Sequence, residues 1–169
     1  MNFRTQVELP EKGTEIRHSE RIMLFGSCFA ENIGNLLSEN KFRCDVNPFG
    51  ILYNPMSIAS ALSQLVEKDA YHEKDLFMAH GRWHSWMHHS DFSSSSPEET
   101  LAKANFRFAK AKKDFAKTNW LLVTFGTSYV YIHKETRELP QDARKDIYPF
   151  HAKRKGDCRG MARRSEKMP

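Results

Sequence analysis

Up to residue 125, short continuous apolar runs alternate with segments whose apolar residues recur at the spacing of one helix face. Residues 22–25 form a continuous apolar run and residues 120–125 an almost continuous one, which suits strands that are buried on both faces. Beyond Gly26 the apolar spacing changes, and it predicts an amphipathic helix whose buried stripe is Phe29, Ile33, Leu36 and Leu37. A strand therefore runs through a glycine turn into a helix.

The same alternation continues after this first unit. Residues 44–49 predict a second short strand, and residues 50–54 a loop. Asn54-Pro55 is typical of a helix start, because Asn caps well and Pro suits the first helical position. Ser96-Pro97 followed by two glutamates predicts a further helix start. The apolar faces of these two helices are Ile58, Leu62, Leu65 and Val66, and then Leu101, Ala104, Phe108, Ala111 and Phe115.

This order of elements predicts an α/β fold of three layers, α/β/α, with a mainly parallel sheet. Residues 129–133 are expected to add a strand, and residues 3–9 an edge strand or an arm. Residues 68–96 show no clean period, although they are rich in histidine and tryptophan. A long irregular insertion in a compact domain is usually functional or disordered, and the aromatic residues argue against disorder.

Composition limits the functional classes. The chain has 169 residues, enough for one domain with a real core. Residues 1–13 are polar and predict no secretory signal, and no apolar run reaches the length of a membrane span. The three cysteines are unclustered and indicate neither a disulfide framework nor a zinc knuckle. We expect a soluble cytoplasmic protein without a cofactor and without a membrane partner.

The net charge of +5 raises the possibility of nucleic-acid binding. Residues 138–169 hold nine Lys/Arg and five Asp/Glu, and so supply +4 of that charge. The remainder is nearly neutral, and a nucleic-acid partner is therefore not expected.

Ser27 is the candidate nucleophile. It follows Gly26 at the end of a buried strand and precedes a helix, and open α/β sheets place their sites at such strand ends. A serine at this position is also a favoured helix cap, and the two roles are compatible. Cys28 is the weaker candidate, because it is expected to be a small buried residue in the first helical turn.

The motif Gly26-Ser-Cys-Phe-Ala30 and three further blocks carry a family resemblance. The blocks are residues 47–55, 83–92 and 124–131. With these blocks, from about Phe3 to about Glu135, the chain resembles the GSCFA family, whose members look like SGNH/GDSL-type hydrolases or, more broadly, flavodoxin-like α/β proteins. The resemblance implies an ester or acyl hydrolase, acting on a small ester or an acylated sugar.

In SGNH-type hydrolases a serine at the first strand attacks the ester, and the resemblance assigns that role to Ser27. It implies oxyanion donors from the Ser27 amide and from Gly50. A third donor in the SGNH pattern is the Asn of a Gly-x-Asn block after a later strand, and Gly126 and Ser128 lie at the position of that block. Ser128 stands where the pattern has Asn, and Asn54 is an alternative donor or a helix cap. Gly50 and Gly126 are equally consistent with turn glycines.

The general base is the missing part of this pattern. SGNH-type hydrolases carry it in an Asp-x-x-His block near the C-terminal end of the domain, and no such block occurs near that end here. His151 lacks an Asp three residues before it. Because triad members act as a unit, we expect this polypeptide to be inactive or nearly so. The alternative is a non-catalytic domain that binds a small, carbohydrate-like ligand.

The segment Trp83–Phe92 supplies further candidates. His84, His88 and His89 are candidate substrate contacts, with Trp83 or Trp86 as an apolar wall, and structural packing of the loop is the alternative. His84 and His88 have metal-ligand spacing if they lie on a helix, but a third ligand is not evident and we predict no metal. Asp91 is a candidate partner for one of these histidines.

The character of the chain changes near Thr136. Residues 138–169 lack Val and Trp and show no period. We therefore divide the chain into residues 1–137, the N-terminal part of an SGNH-like domain that is incomplete at its C-terminal side, and residues 138–169, a basic tail. Reading a back-translation one base later permits a Cys-His-Lys segment and a capped helix. Met161-Ala162 must then give Trp, because ATG followed by G contains TGG.

We predict that the reading frame slips near residues 136–138. The nucleotide sequence past codon 136 tests this, and it should continue the family pattern in the shifted frame. A stop codon soon after the slip, or shifted text unlike the family, would show that the tail is a natural, divergent basic extension.

Overall fold

The computed structural model describes residues 13–131 and 153–155. The strands are β1 (Arg21–Phe25), β2 (Arg43–Val46), β3 (Leu76–Ala79), β4 (Arg82–Ser85), β5 (Trp120–Val123), β6 (Tyr129–Tyr131) and β7 (Lys153–Lys155). The helices are α1 (Cys28–Glu39), α2 (Pro55–Glu67) and α3 (Pro97–Phe115), with short 3-10 turns at Glu73–Asp75 and Ser90–Phe92. The predicted arm at residues 3–9, the boundary at residue 137, and His133 and His151 lie outside the described residues.

The central sheet is parallel, in the order β2-β1-β5. Two antiparallel pairs accompany it among the described residues, β3 with β4 and β6 with β7. The parallel sheet and its flanking helices confirm the α/β prediction. We use "carboxyl edge" for the edge of the sheet where Phe25, Val46 and Val123 end their strands.

Two faces of the sheet are covered by different helices. Leu24 and Val46 are register partners, so they share a face, and Gly34 of α1 contacts Val46 on it. Met23 and Asp45 share the opposite face. There Met23 packs with Ile58 of α2 and Phe108 of α3, and Arg107 of α3 forms a buried ion pair with Asp45. The result is the expected three layers.

The predicted helix starts are confirmed by their caps. The Asn54 side chain accepts a hydrogen bond from the Ser57 N–H at 2.8 Å, and the Ser96 hydroxyl accepts one from the Glu99 N–H at 3.3 Å. Of the described helices, none has the length and apolarity to span a bilayer.

Several sequence expectations are wrong. The strand β5, predicted to be buried on both faces, has Leu121 44% exposed, and Val66 of the predicted α2 face is 66% exposed. Residues 68–96 are not irregular throughout, because they contain the β3–β4 hairpin, whose four-residue strands are too short to show a period. On α1 the buried positions are Ala30 and Gly34, whereas Phe29 and Leu36 of the predicted stripe are 61% and 54% exposed. Small residues face the sheet here because the helix approaches β2 closely.

Gly34→Ala should destabilise the fold by about 1–2 kcal/mol. A Cβ at this position would lie 2.5 Å from Val46 Cγ2, and the cost of overpacking exceeds the gain in helix propensity. Urea unfolding of Gly34→Ala, Val46→Ala and the double variant measures the coupling. Asn35→Ala, on the exposed side of the same helix, is the control. Equal effects of Gly34→Ala in the native chain and in the Val46→Ala variant would show that this contact does not limit packing.

Candidate functional site

The turn at Gly26 fixes the geometry of the carboxyl edge. Gly26 has φ +147°, a conformation that favours glycine, and a Cβ there would lie 2.4 Å from the Thr124 carbonyl oxygen. Its N–H donates to Asn47 Oδ1 at 3.0 Å, and its carbonyl accepts from the Leu52 N–H at 2.9 Å. Gly26 therefore joins the ends of β1, β2 and β5.

Ser27 lies directly above this turn. It is half-buried and is the N-cap of α1, where its Oγ accepts a hydrogen bond from the Phe29 N–H at 3.3 Å. Its hydroxyl group is therefore at the positive end of a twelve-residue helix. Cys28, expected to be buried, is exposed, because it begins the helix on the side away from the sheet.

Asn47 is a site residue that sequence reasoning missed. It directly follows β2 and has φ +43°, a left-handed conformation that Asn tolerates better than most residues. Its Oδ1 is bound by the Gly26 N–H, while its buried Nδ2 has no hydrogen-bond partner in the described structure. The strand predicted over residues 44–49 ends at Val46 instead, and the Asn47-Pro48 pair was the available sequence signal for a turn there.

Gly50 occupies the loop after β2, as the resemblance predicts. Its φ is +86°, and a Cβ there would lie 2.2 Å from the His89 Cβ. Its N–H donates to the Asn47 carbonyl at 2.8 Å. A role as an oxyanion donor would require this turn hydrogen bond to be shared or released, and the role stays a prediction.

Gly126 lies beside Ser27. A Cβ on Gly126 would be 3.6 Å from the Ser27 Cβ and 3.0 Å from the ring of Tyr53. The N–H groups of Gly126 and Thr127 both donate to the Tyr53 carbonyl, at 2.8 and 3.1 Å. Ser128 follows on an exposed stretch. The end of β5 is thus brought beside the nucleophile candidate.

Asn54 is committed to the start of α2. Its Oδ1 accepts from the Ser57 N–H and its Nδ2 donates to the Ser57 Oγ, each at 2.8 Å. The side chain is buried. These contacts show the capping role, and a contact of Asn54 with substrate stays a prediction.

His84 and His88 are core residues of the 68–96 segment. His84 lies in β4, where its Nδ1 and the Ser93 hydroxyl are 2.8 Å apart. His88 lies beyond the end of β4, and its Nδ1 and the Ser85 hydroxyl are 2.9 Å apart. The two histidines are therefore not on one helix face. No group of three or more metal-ligand side chains occurs among the described residues.

His88 sits in an aromatic cage. Its ring centroid is 5.2 Å from that of Phe49, 4.7 Å from that of Tyr71 and 4.7 Å from that of Phe92. Burial lowers the pKa of His88 to about 3 from 6.5, and the charge of Arg107 acts in the same direction. This histidine is therefore neutral in the folded protein across the physiological range.

His89 differs from its neighbour because it contacts the carboxyl edge. Its backbone N–H donates to the Phe49 carbonyl at 2.8 Å, and its Cβ packs against Gly50. Its Nδ1 lies 2.9 Å from Asp91 Oδ2. This close approach of Asp91 to His89 lies beside Gly50.

We predict that His88 makes the fold acid-labile. The unfolded histidine takes up a proton below about pH 6.5, whereas the folded one resists protonation until about pH 3. Its stability contribution is therefore complete above pH 6.5 and falls as pH drops, by at most about 1.4 kcal/mol per pH unit. Urea unfolding of the native chain and His88→Gln from pH 7.5 to 4 measures the difference. His80→Asn controls for the loss of an exposed imidazole, and parallel curves for native chain and His88→Gln would contradict the prediction.

The comparisons with known proteins give one match. The model of the GSCFA family matches residues 21–155. The match begins at the first residue of β1, and it extends beyond Glu135, where the sequence resemblance was expected to stop. No curated protein and no solved structure matches the chain. The matched region covers most of the 169 residues, and the chain therefore belongs to the GSCFA family.

Proposed function

We propose that the site at Ser27 is that of a serine ester or acyl hydrolase of the SGNH-like type. The observation that carries the proposal is the Gly26-Ser27 turn, which holds a hydroxyl at the carboxyl edge of a parallel sheet and at a helix N-terminus. Gly126 borders it from the loop that follows β5. Positive helix ends and backbone donors favour the negative charge that develops on an ester oxygen.

The substrate class in this proposal is a small ester or an acylated sugar. Ser27 Oγ attacks the carbonyl carbon, and the oxyanion is held by the Ser27 amide with Gly50 or the amides of the Gly126 turn. Since Gly50 and Gly126 donate internally in this structure, substrate binding must compete with those bonds. We place this activity in the cytoplasm, because the cysteines show no disulfide pattern.

The base that the family resemblance implies is not found near the C-terminal end of the 169 residues. Asp69-Ala-Tyr-His72 has the letters Asp-x-x-His, but it directly follows α2, far in the chain from the C-terminal position that the pattern requires. Asp69 there pairs with Lys112 at 3.1 Å. Turnover by this polypeptide is therefore expected to be weak.

A non-catalytic domain that binds a small polar ligand is the second candidate. It is favoured by the internal bonding at the site, because the Ser27 hydroxyl accepts from Phe29 and the Gly50 and Gly126 amides are engaged. Such a domain would hold its ligand at Ser27 without a covalent step.

We expect a fluorophosphonate probe to label Ser27 slowly in this chain, and at least about tenfold faster in a frame-restored chain, because triad members act together. The rates of labelling and of p-nitrophenyl acetate turnover measure this, with Ser27→Ala as the test variant. Ser38→Ala, near the other end of α1, is the matched control. Equal rates in both chains that do not depend on Ser27 would exclude the hydrolase and leave the binding domain.

A further inference from the structure

The outer side of α3 carries exposed apolar side chains. Phe106 is 78% exposed, more than any other large apolar side chain in the described part of the chain. Ala102 and Ala109 lie one turn before it and one turn after it on the same side, and both are also exposed. We call Ala102, Phe106 and Ala109 the outer stripe.

The outer stripe repeats the pattern by which α3 enters the core. The inner face of the helix buries Ala104, Phe108 and Ala111, the same residue types at the same spacing, two positions further along. Two residues correspond to about 200° around a helix, so the two patterns lie on opposite sides of α3. On the inner side Phe108 packs against the rings of Phe49 and Tyr71. The outer stripe therefore has the form of a helix-packing surface.

The ends of the outer stripe carry opposite charges. Continued at alternating steps of three and four residues, the stripe reaches Glu99 at its N-terminal end and Lys113 at its C-terminal end, and both are exposed. This spacing is the heptad pattern of helices that pack along one another. The helix dipole favours the same charge distribution within a single helix.

We propose that the outer stripe is a self-association surface, on which a second copy of the chain packs its own α3 in the antiparallel direction. This packing lays the Phe106 ring of each copy against the alanines of the other, and it brings Glu99 beside Lys113 at both ends. Parallel packing would place like charges together instead. A surface that carries both halves of a complementary pattern suits a twofold contact between identical chains.

The size of this surface predicts a weak dimer. From Glu99 to Lys113 the helix extends about 21 Å. A single contact between two helices of that length is small for a permanent interface, so we expect a dimer that forms as the protein concentration rises. The contact does not involve Ser27 and does not depend on the proposed hydrolase function.

Sedimentation velocity of the full chain over a concentration series measures the dimer Kd. Phe106→Gln should raise the Kd about tenfold or more, because a central aromatic side chain carries much of the energy of such an interface. The fold is expected to persist, since the side chain is exposed. Val66→Gln is the matched control, because it removes a side chain that is 66% exposed on α2.

Charge reversal tests the direction of packing. Lys113→Glu and Glu99→Lys should each raise the Kd about fivefold, because each makes both ends of the contact repulsive. An equal mixture of these two variants should dimerise like the native chain, since their reversed charges are complementary. Recovery in the mixture also shows that neither variant has lost its fold.

Each outcome decides the proposal. Loss of the dimer in Phe106→Gln, its persistence in Val66→Gln and its recovery in the mixture support it. A native chain that stays monomeric at the highest concentration overturns it and assigns the outer stripe to a different protein. Association that Phe106→Gln leaves unchanged uses another surface and overturns it. Loss in Phe106→Gln without any response to the charge reversals excludes the antiparallel contact and also overturns it.

Discussion

The glycine turn after β1 is the constraint on which the rest of the carboxyl edge depends. Gly26 has both of its backbone polar groups bound, to the Asn47 side chain and to the Leu52 N–H. The Thr124 backbone fills the space where a Cβ would be. A side chain at position 26 would therefore push β5 away from β1, and it would also require a φ that non-glycine residues avoid. The position of Ser27 follows from this turn.

Several hydrogen-bonding groups at the site are already occupied by partners within the protein. The cap hydrogen bond at Ser27 and the turn hydrogen bond at Gly50 satisfy groups that a substrate would otherwise use. Asn47 Nδ2 and Thr124 Oγ1 are exceptions, buried polar atoms without a hydrogen-bond partner among the described residues. Buried polar groups without a hydrogen-bond partner lower the stability of the folded protein. The oxygen of the Asn47 side chain holds Gly26, so a small shift of one amide would affect both strands.

Much of the fold could be predicted from local signals. Asn54-Pro55 and Ser96-Pro97 determine helix starts through bonds within three residues. The apolar run at β1 is buried on both faces as predicted, whereas β5 is only partly buried, with Leu121 44% exposed. The α1 stripe failed for a tertiary reason, because Gly34 lets the helix approach Val46 and its small residues face inward. The contact of His89 with Gly50 could not be predicted, since it joins loops that no sequence period relates. The close approach of Asp91 to His89 depends on the short turn at Ser90–Phe92.

The strand order affects when the site can form during synthesis of the chain. β1 lies between β2 and β5, and the Arg21 N–H binds Asn119 Oδ1 across 98 residues of chain. Ser27 is synthesised early, together with α1 and β2, whereas Thr124 and Gly126 leave the ribosome much later. One edge of β1 must remain unpaired through that interval, and such long-range pairings form slowly. Ser27 therefore lacks its neighbours from the end of β5 until that strand has been synthesised and has paired with β1.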